Sequence, residues 1–284
     1  MIEIKHKDTG MVLAEVNADS LIGADLREYD LSGADLSRQD MQGANFLNSD
    51  LSGADLSHAH LEQARLQGSR FKNAILHKAN LSHVNAGSSS RSDAVIFNDA
   101  DLSCAIFDSA DLRNAEMRNT NLEQAYLCNS DSRDADFSGS NMRKLKARRA
   151  LLIGANFRDT NLTEADFRDS HLNSANLRRA NLHGADLSTL TPGGYTVLNL
   201  ANLEEADLTN ANMRGTQVEK ADFRNANLSS ADFTGAVLGG SNLRRANVSN
   251  TDFSNVELAT VNMEYANFSQ ALNADIPSYK MNLR

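Results

Sequence analysis

Large apolar residues recur every five positions along almost the whole chain. With Leu, Met or Phe as the centre of each unit, centres run 21, 26, 31, 36, 41 and onward to 86. They resume at Phe97 and continue to Leu187, then resume again at Leu198 and continue to Phe268. All eleven phenylalanines fall on this phase. Two places before each centre stands a small or β-branched residue, mostly alanine, and Asp or Asn usually lies between them. Ala24-Asp25-Leu26, Ala34-Asp35-Leu36, Ala44-Asn45-Phe46 and Ala54-Asp55-Leu56 show the unit. A period of five matches neither the 3.6 of a helix nor the 2.0 of a strand. Residues two apart in an extended segment share a face, so the centre and its alanine point inward and the residue between them points out. The pattern therefore predicts a chain that turns a corner every five residues. Gly or Asn often follows two places after the centre, as at Gly23, Gly33, Gly43, Gly53, Asn73, Gly184, Asn210 and Gly235. A type II turn there requires positive φ.

These units resemble the pentapeptide-repeat family, whose pattern is A-(D/N)-L-x-x, over roughly residues 19–270. The resemblance implies an all-β fold, a right-handed quadrilateral β-helix with four faces per coil. On that reading about 12 coils stack ~4.8 Å apart, and side chains twenty residues apart form ladders. Departures are few. Leu145 takes a small position and Ala147 the large one beside it, a swap that conserves inward volume. Tyr29 and Gln39 fill small positions in the first coils, and Ser132 underfills a centre.

A solenoid exposes its core and strand edges at both ends. Residues 1–18 are expected to form an N-terminal β-hairpin cap: Ile2-Glu3-Ile4 and Met11–Val16 flank the turn signal Lys7-Asp8-Thr9-Gly10. Residues 271–284 leave the register, contain Pro277, and read as a tail or cap that closes the last coil or joins an end-to-end homodimer; a monomer is the alternative.

The step between centres is five except at 86→97 and 187→198, where it is eleven. The interruptions, about 87–93 and 188–197, read as loops by composition. One reading makes each a tolerated slip of one residue in a surface turn. The other makes them functional loops. If each break spans one face plus one residue, they stand five coils, ~24 Å, apart on one side. Between them lies the one basic concentration, Arg143, Lys144, Lys146, Arg148 and Arg149, with Arg148 stacked over Arg168 and Arg158 over Arg178. Interspersed Asp159, Glu164, Asp166 and Asp169 argue for a solvated mixed-charge face; the sharper expectation is a strip that grips an anionic partner. The interaction residues expected on this basis are Ser88, Ser89, Arg91, Arg148, Arg149, Arg168, Pro192 and Tyr195.

Net charge is −9, spread as −4, −2 and −3 over residues 1–86, 87–190 and 191–284, with no block of like charge. Neither nucleic-acid binding nor membrane association is expected. Two cysteines, Cys104 and Cys128, suit a reducing compartment, and no 18-residue apolar run occurs, so a cytoplasmic bacterial-type protein is expected. Chemistry is sparse. No His or Cys spacing matches a zinc site, no nucleophile has a visible base, and no phosphate-cradling glycine motif is present. His58, His60 and His77 gather loosely on one flank at most. The expectation is a non-enzymatic interaction scaffold without cofactor or metal and with an unidentified protein partner. Resemblance to the Qnr-type and MfpA-type quinolone-resistance branch implies the alternative, a DNA mimic that binds DNA gyrase or topoisomerase IV. Against that alternative, the acid is diluted by arginine.

Overall fold

The computed structural model describes residues 1–190 and 193–278. It divides into two compact units, Met1–Leu145 and Lys146–Arg284. Neither contains an α-helix among the described residues.

The first unit opens with an antiparallel pair, β1 (Ile2–Lys5) and β2 (Val12–Val16), in which Ile2 faces Val16 and Ile4 faces Ala14. Gly10, at φ 68°, closes the turn through its N–H to the His6 carbonyl at 2.9 Å. The chain leaving β1 then pairs with the repeats: Asp35 N–H donates to the Lys5 carbonyl and Lys7 N–H to the Gly33 carbonyl, both at 2.8 Å.

From Asp25 onward the strands are single-residue parallel bridges. Asp25 pairs with Asn45, Asp30 with Asp50 and Asp35 with Asp55, each partner twenty residues on. Each bridge is held at both ends, as where Asn45 N–H donates to the Ala24 carbonyl and Leu26 N–H to the Asn45 carbonyl. Four pentapeptides therefore close one coil, which makes this a β-helix-type fold. The inward positions are sealed: centres such as Leu26, Phe46, Phe71 and Phe107 have no exposed surface. Phe71 and Phe97 stack with centroids 4.9 Å apart, and Phe107 meets Phe97 edge-on at 6.0 Å.

The second unit repeats this plan. Lys146 pairs with Asp166 and Asn156 with Asn176, and the ladder continues to Asp252 with Leu272. Phe233 stacks on Phe253 at 5.9 Å. Leu145 and Ala147 are both buried.

The corners obey the predicted turn. Ala34 N–H donates to the Leu31 carbonyl at 3.0 Å while Gly33, between them, sits at φ 68°. Most corners lack glycine, so residues such as Asn48, His58, Asp134 and Tyr265 hold φ near 58°. Leu200, at φ 64° and 60% exposed, is the least suited to this region. An L-residue there costs about 1–2 kcal/mol, and glycine gives back about 0.5–1 kcal/mol in backbone entropy. Leu200→Gly is therefore expected to stabilise the fold by up to about 1 kcal/mol in denaturant unfolding; a loss of stability would show the side chain to be a needed contact.

Hydroxyls occupy many small inward positions, fully buried yet satisfied. Some bond the carbonyl of their own turn, as Thr160 does Phe157 at 2.6 Å and Thr216 does Met213 at 2.7 Å. Others reach one coil back, as Thr251 does to Leu228 at 2.7 Å. Ser132, the underfilled centre, faces the Ser130 hydroxyl at 3.1 Å, so its polar atom is not orphaned.

Each interruption proves to be a six-residue insertion rather than a face plus one residue. Bridge spacing is 26 for Arg70–Ile96, Ile75–Asp101, Asn80–Ile106 and Asn85–Asp111, then returns to 20. The second break behaves alike, with 26 from His171–Val197 through Asp186–Asn212. Counting a break as a face would rotate every later ladder by a quarter turn and part Phe71 from Phe97. The premise that set the breaks five coils apart therefore falls.

Candidate interaction surfaces

The first break is built onto the coil rather than left loose. Its entry residue Gly87 packs so closely that a Cβ would lie 1.8 Å from Asp111 Oδ1. Ser88 N–H donates to the Arg113 carbonyl at 3.1 Å and its own carbonyl accepts from Asn114 Nδ2 at 2.8 Å. A 3-10 turn, Arg91–Asp93, closes the loop, and the Asp93 carbonyl accepts from Gly68 N–H at 2.9 Å. Ser88 and exposed Ser89 line a cleft of about 210 Å³ with Arg113, Asn114, Arg133 and Asp134. The side chain of Arg91 and the whole of Pro192 lie outside the described residues.

The second break is tied down through Asp169. Leu190 N–H donates to Asp169 Oδ1 at 3.1 Å, and the Thr196 hydroxyl accepts from Asp169 N–H at 2.9 Å. Ser188 N–H bonds Asp186 Oδ1 at 3.0 Å. Tyr195 stands 48% exposed. Asp169 and Asp186, together with Asp166, also hold the arginine strip. Asp166 Oδ2 accepts from Arg148 Nε at 2.5 Å and Arg168 Nη2 at 2.7 Å. Arg168 Nε lies 3.5 Å from Asp186, and Arg149 Nε 3.9 Å from Asp169. Arg148, Arg149 and Arg168 thus come together at the base of the second break, as a neutralised network.

Burial pushes the Asp166 carboxyl up, but the bonds from Arg168 and Arg148 outweigh it and hold its pKa below the usual carboxylate value. A carboxylate depressed in the folded state stabilises above its unfolded pKa, and that stabilisation is lost as pH falls through the folded one. Acid titration is therefore expected to erode stability below about pH 4, less steeply in Arg148→Gln/Arg168→Gln. Equal slopes in the two proteins would overturn the assignment.

The uniform charge read along the chain hides banding in the first unit. Residues 19–62 carry nine acidic and two basic side chains, whereas residues 63–92 carry five basic and none acidic. Among the described residues Arg65, Arg70, Lys72 and Lys78 carry no ion pair, unlike the arginines in Asp-x-Arg triplets. In those, Asp25–Arg27, Asp111–Arg113, Asp131–Arg133 and Asp222–Arg224 pair at 2.6–2.7 Å. That triplet is visible in sequence and could have identified the neutralised arginines.

Chemistry remains sparse. His58 and His77 meet edge-on with centroids 5.7 Å apart, while His77 Nδ1 lies 2.8 Å from the Ser103 hydroxyl and His60 Nδ1 3.4 Å from Glu62. Among the described residues no three His, Cys, Asp or Glu side chains converge as a metal set. Cys104 and Cys128 are each partly exposed and are not joined in a disulfide. No helix of the described residues is long and apolar enough to cross a membrane.

The profile for pentapeptide repeats matches in eight copies, over residues 20–57, 54–86, 115–152, 150–188, 201–240 and 241–271. Curated protein sequences yield no match. Among solved structures, the chain is similar to HetL, a pentapeptide repeat protein involved in heterocyst differentiation regulation from the cyanobacterium Nostoc sp. strain PCC 7120. Identity is 26%, over 82% of this chain and 86% of that one, at a TM-score of 0.28. It is also similar to a trypsin-treated variant of QnrB1, a plasmid-mediated fluoroquinolone resistance protein. There identity is 19%, over 90% of each chain, at a TM-score of 0.31.

Proposed function

The chain belongs to the pentapeptide-repeat family, and on that footing we propose that it is a non-enzymatic protein-interaction scaffold. The carrying observation is the construction of the two breaks. Six residues are added at a corner without disturbing the ladder on either side, yet each base is fixed by specific bonds to Arg113, Asn114 or Asp169. Coil closure does not need these residues, so a built protrusion is best accounted for by what it meets outside. On this reading residues 1–18 cap the first coil, residues 271–284 form the tail, and Ser88, Ser89, Arg91, Pro192 and Tyr195 present the contact surface. The neutralised Arg148, Arg149 and Arg168 support the second break. Deleting residues 87–92 and 189–194 restores the regular step of five. Affinity capture from a host extract is expected to lose its specific partner with the deleted protein, while thermal unfolding stays cooperative. An unchanged set of captured proteins would sink this reading.

A second reading rests on the acidic band. Asp25, Asp30, Asp35 and Asp40 occupy successive outward positions, and Asp30 and Asp35 bridge to Asp50 and Asp55 one coil on. Rows of carboxylate of this kind suit a DNA mimic that engages DNA gyrase or topoisomerase IV. Supercoiling by gyrase, with and without a quinolone, is expected to respond to micromolar protein and to lose that response in Asp30→Asn/Asp50→Asn. No response would remove it.

A further inference from the structure

One face of the second unit lacks a bridge that its sequence does not warn of. Val237 pairs with Gln217 behind it, and Asn242 pairs with Asn262 in the next step, but Glu257, in register one coil after Val237, forms no bridge. Elsewhere such a bridge carries two bonds, as where Val237 N–H donates to the Thr216 carbonyl and Val218 N–H to the Val237 carbonyl, at 2.9 and 2.8 Å. Among the described residues the Leu238 N–H and the Ala236 carbonyl find no partner, although both residues are buried. Backbone donors and acceptors are ordinarily paired, so this N–H and C=O, facing a gap between coils, are placed to take a partner from outside.

The gap is a cleft of about 330 Å³ between two consecutive coils, lined by Glu219, Val237, Gly239, Asn255, Glu257 and Thr260. Its ends are pinned: Gly235 N–H bonds the Ser254 carbonyl at 2.8 Å and Gly240 N–H the Thr260 hydroxyl at 3.1 Å. Space is left by Gly239, whose nearest neighbours to an added Cβ would be Glu219 Oε1 at 3.5 Å and Thr260 Oγ1 at 3.9 Å. Val237 is 42% exposed. Glu219 is oriented by Asn199, whose Oδ1 accepts its N–H at 2.8 Å and whose Nδ2 reaches its Oε2 at 3.5 Å. Lys220, whose N–H bonds the Gly239 carbonyl at 2.9 Å, is the nearby cation on the same corner.

We propose that this cleft binds one residue of an extended peptide bearing a basic side chain. The peptide's N–H and C=O would complete the missing bridge at Ala236 and Leu238, and its cation would lie between Glu219 and Glu257. The acceptor and donor stand at i and i+2 on one strand edge, the spacing that one parallel residue satisfies. Two carboxylates against one lysine select a cation rather than an anion. The proposal involves neither break, so it stands or falls apart from the scaffold reading above.

The probe is N-acetyl-lysine N-methylamide, in which the lysine N–H and C=O are flanked by an acetyl carbonyl and a methylamide N–H and the side chain carries one cation; it is compared with the glutamate analogue. In free protein the Leu238 amide is expected to exchange with solvent at least about tenfold faster than those of Val218 and Leu243, which are bonded across the ladder. Titration is expected to shift the Leu238 amide resonance saturably, with the lysine probe at least about threefold tighter than the glutamate one. Glu257→Gln should remove that preference and Gly239→Leu, which fills the cleft, should abolish the shift. Equal protection of Leu238 and Leu243 would mean that the gap is closed in solution and would overturn the proposal. So would an unshifted Leu238 at high probe concentration. If Gly239→Leu fails to fold, exchange and Glu257→Gln still decide.

Discussion

Phe97→Ala is expected to destabilise the first unit by about 3–5 kcal/mol, read as a shift in denaturant midpoint with little change in slope. Phe97 is fully buried, stacks on Phe71 at 4.9 Å and meets Phe107 edge-on at 6.0 Å. Truncation removes both ring contacts and leaves a void that a narrow coil cannot collapse, because the neighbouring Ile96 is bridged to both Arg70 and Glu116 and fixes the backbone. Phe97→Leu, which keeps most of the volume, should cost below about 1.5 kcal/mol. Equal losses for the two substitutions would show that ring stacking, rather than volume, holds the column.

Ser140→Val is expected to cost about 1–3 kcal/mol, although valine fills the same small inward position elsewhere, as Val84 and Val261 do. At most corners the small residue donates its N–H to the centre three residues earlier. Thr120 does not: its N–H goes to the Ser140 hydroxyl, one coil on, at 2.9 Å. That hydroxyl in turn donates to the Met117 carbonyl at 2.7 Å, which also accepts from the Thr120 hydroxyl at 2.8 Å. Valine orphans a buried N–H. In Thr120→Ala the turn's own bond can re-form, and a smaller loss follows. A Ser140→Val protein as stable as the parent would show that the turn re-forms unaided.

The repeat and its corners were legible because a five-residue period admits one solution: residues two apart share a face, and a corner demands positive φ. Leu26, Phe46 and Gly33 could be placed before any coordinate. The breaks were not legible, since eleven residues are equally a face plus six or two faces plus one. Only backbone bonds such as Ile96 to Ser69 decide between them. For the arginine strip the sequence showed residues but not partners. Arg148 and Arg168 share one carboxylate across a coil, whereas Arg65 and Arg70, which carry no signal in the repeat pattern, share none. The cleft at Glu257 was hidden by a regular Val256-Glu257-Leu258 unit; only the facing Gly239-Gly240 pair hinted at slack. The pairing of Ser130 with Ser132 likewise needed three dimensions.

The six-residue insertions have a use in engineering. A corner accepts extra chain because each coil counts faces, not residues, and the ladder resumes wherever the next small-polar-large triplet docks. The other corners of these coils, such as those at Gly53 and Gly215, are positions of the same kind. A foreign epitope or binding loop grafted there would inherit anchored ends on a preformed scaffold. Its added length would tax stability only with the logarithm of the loop size.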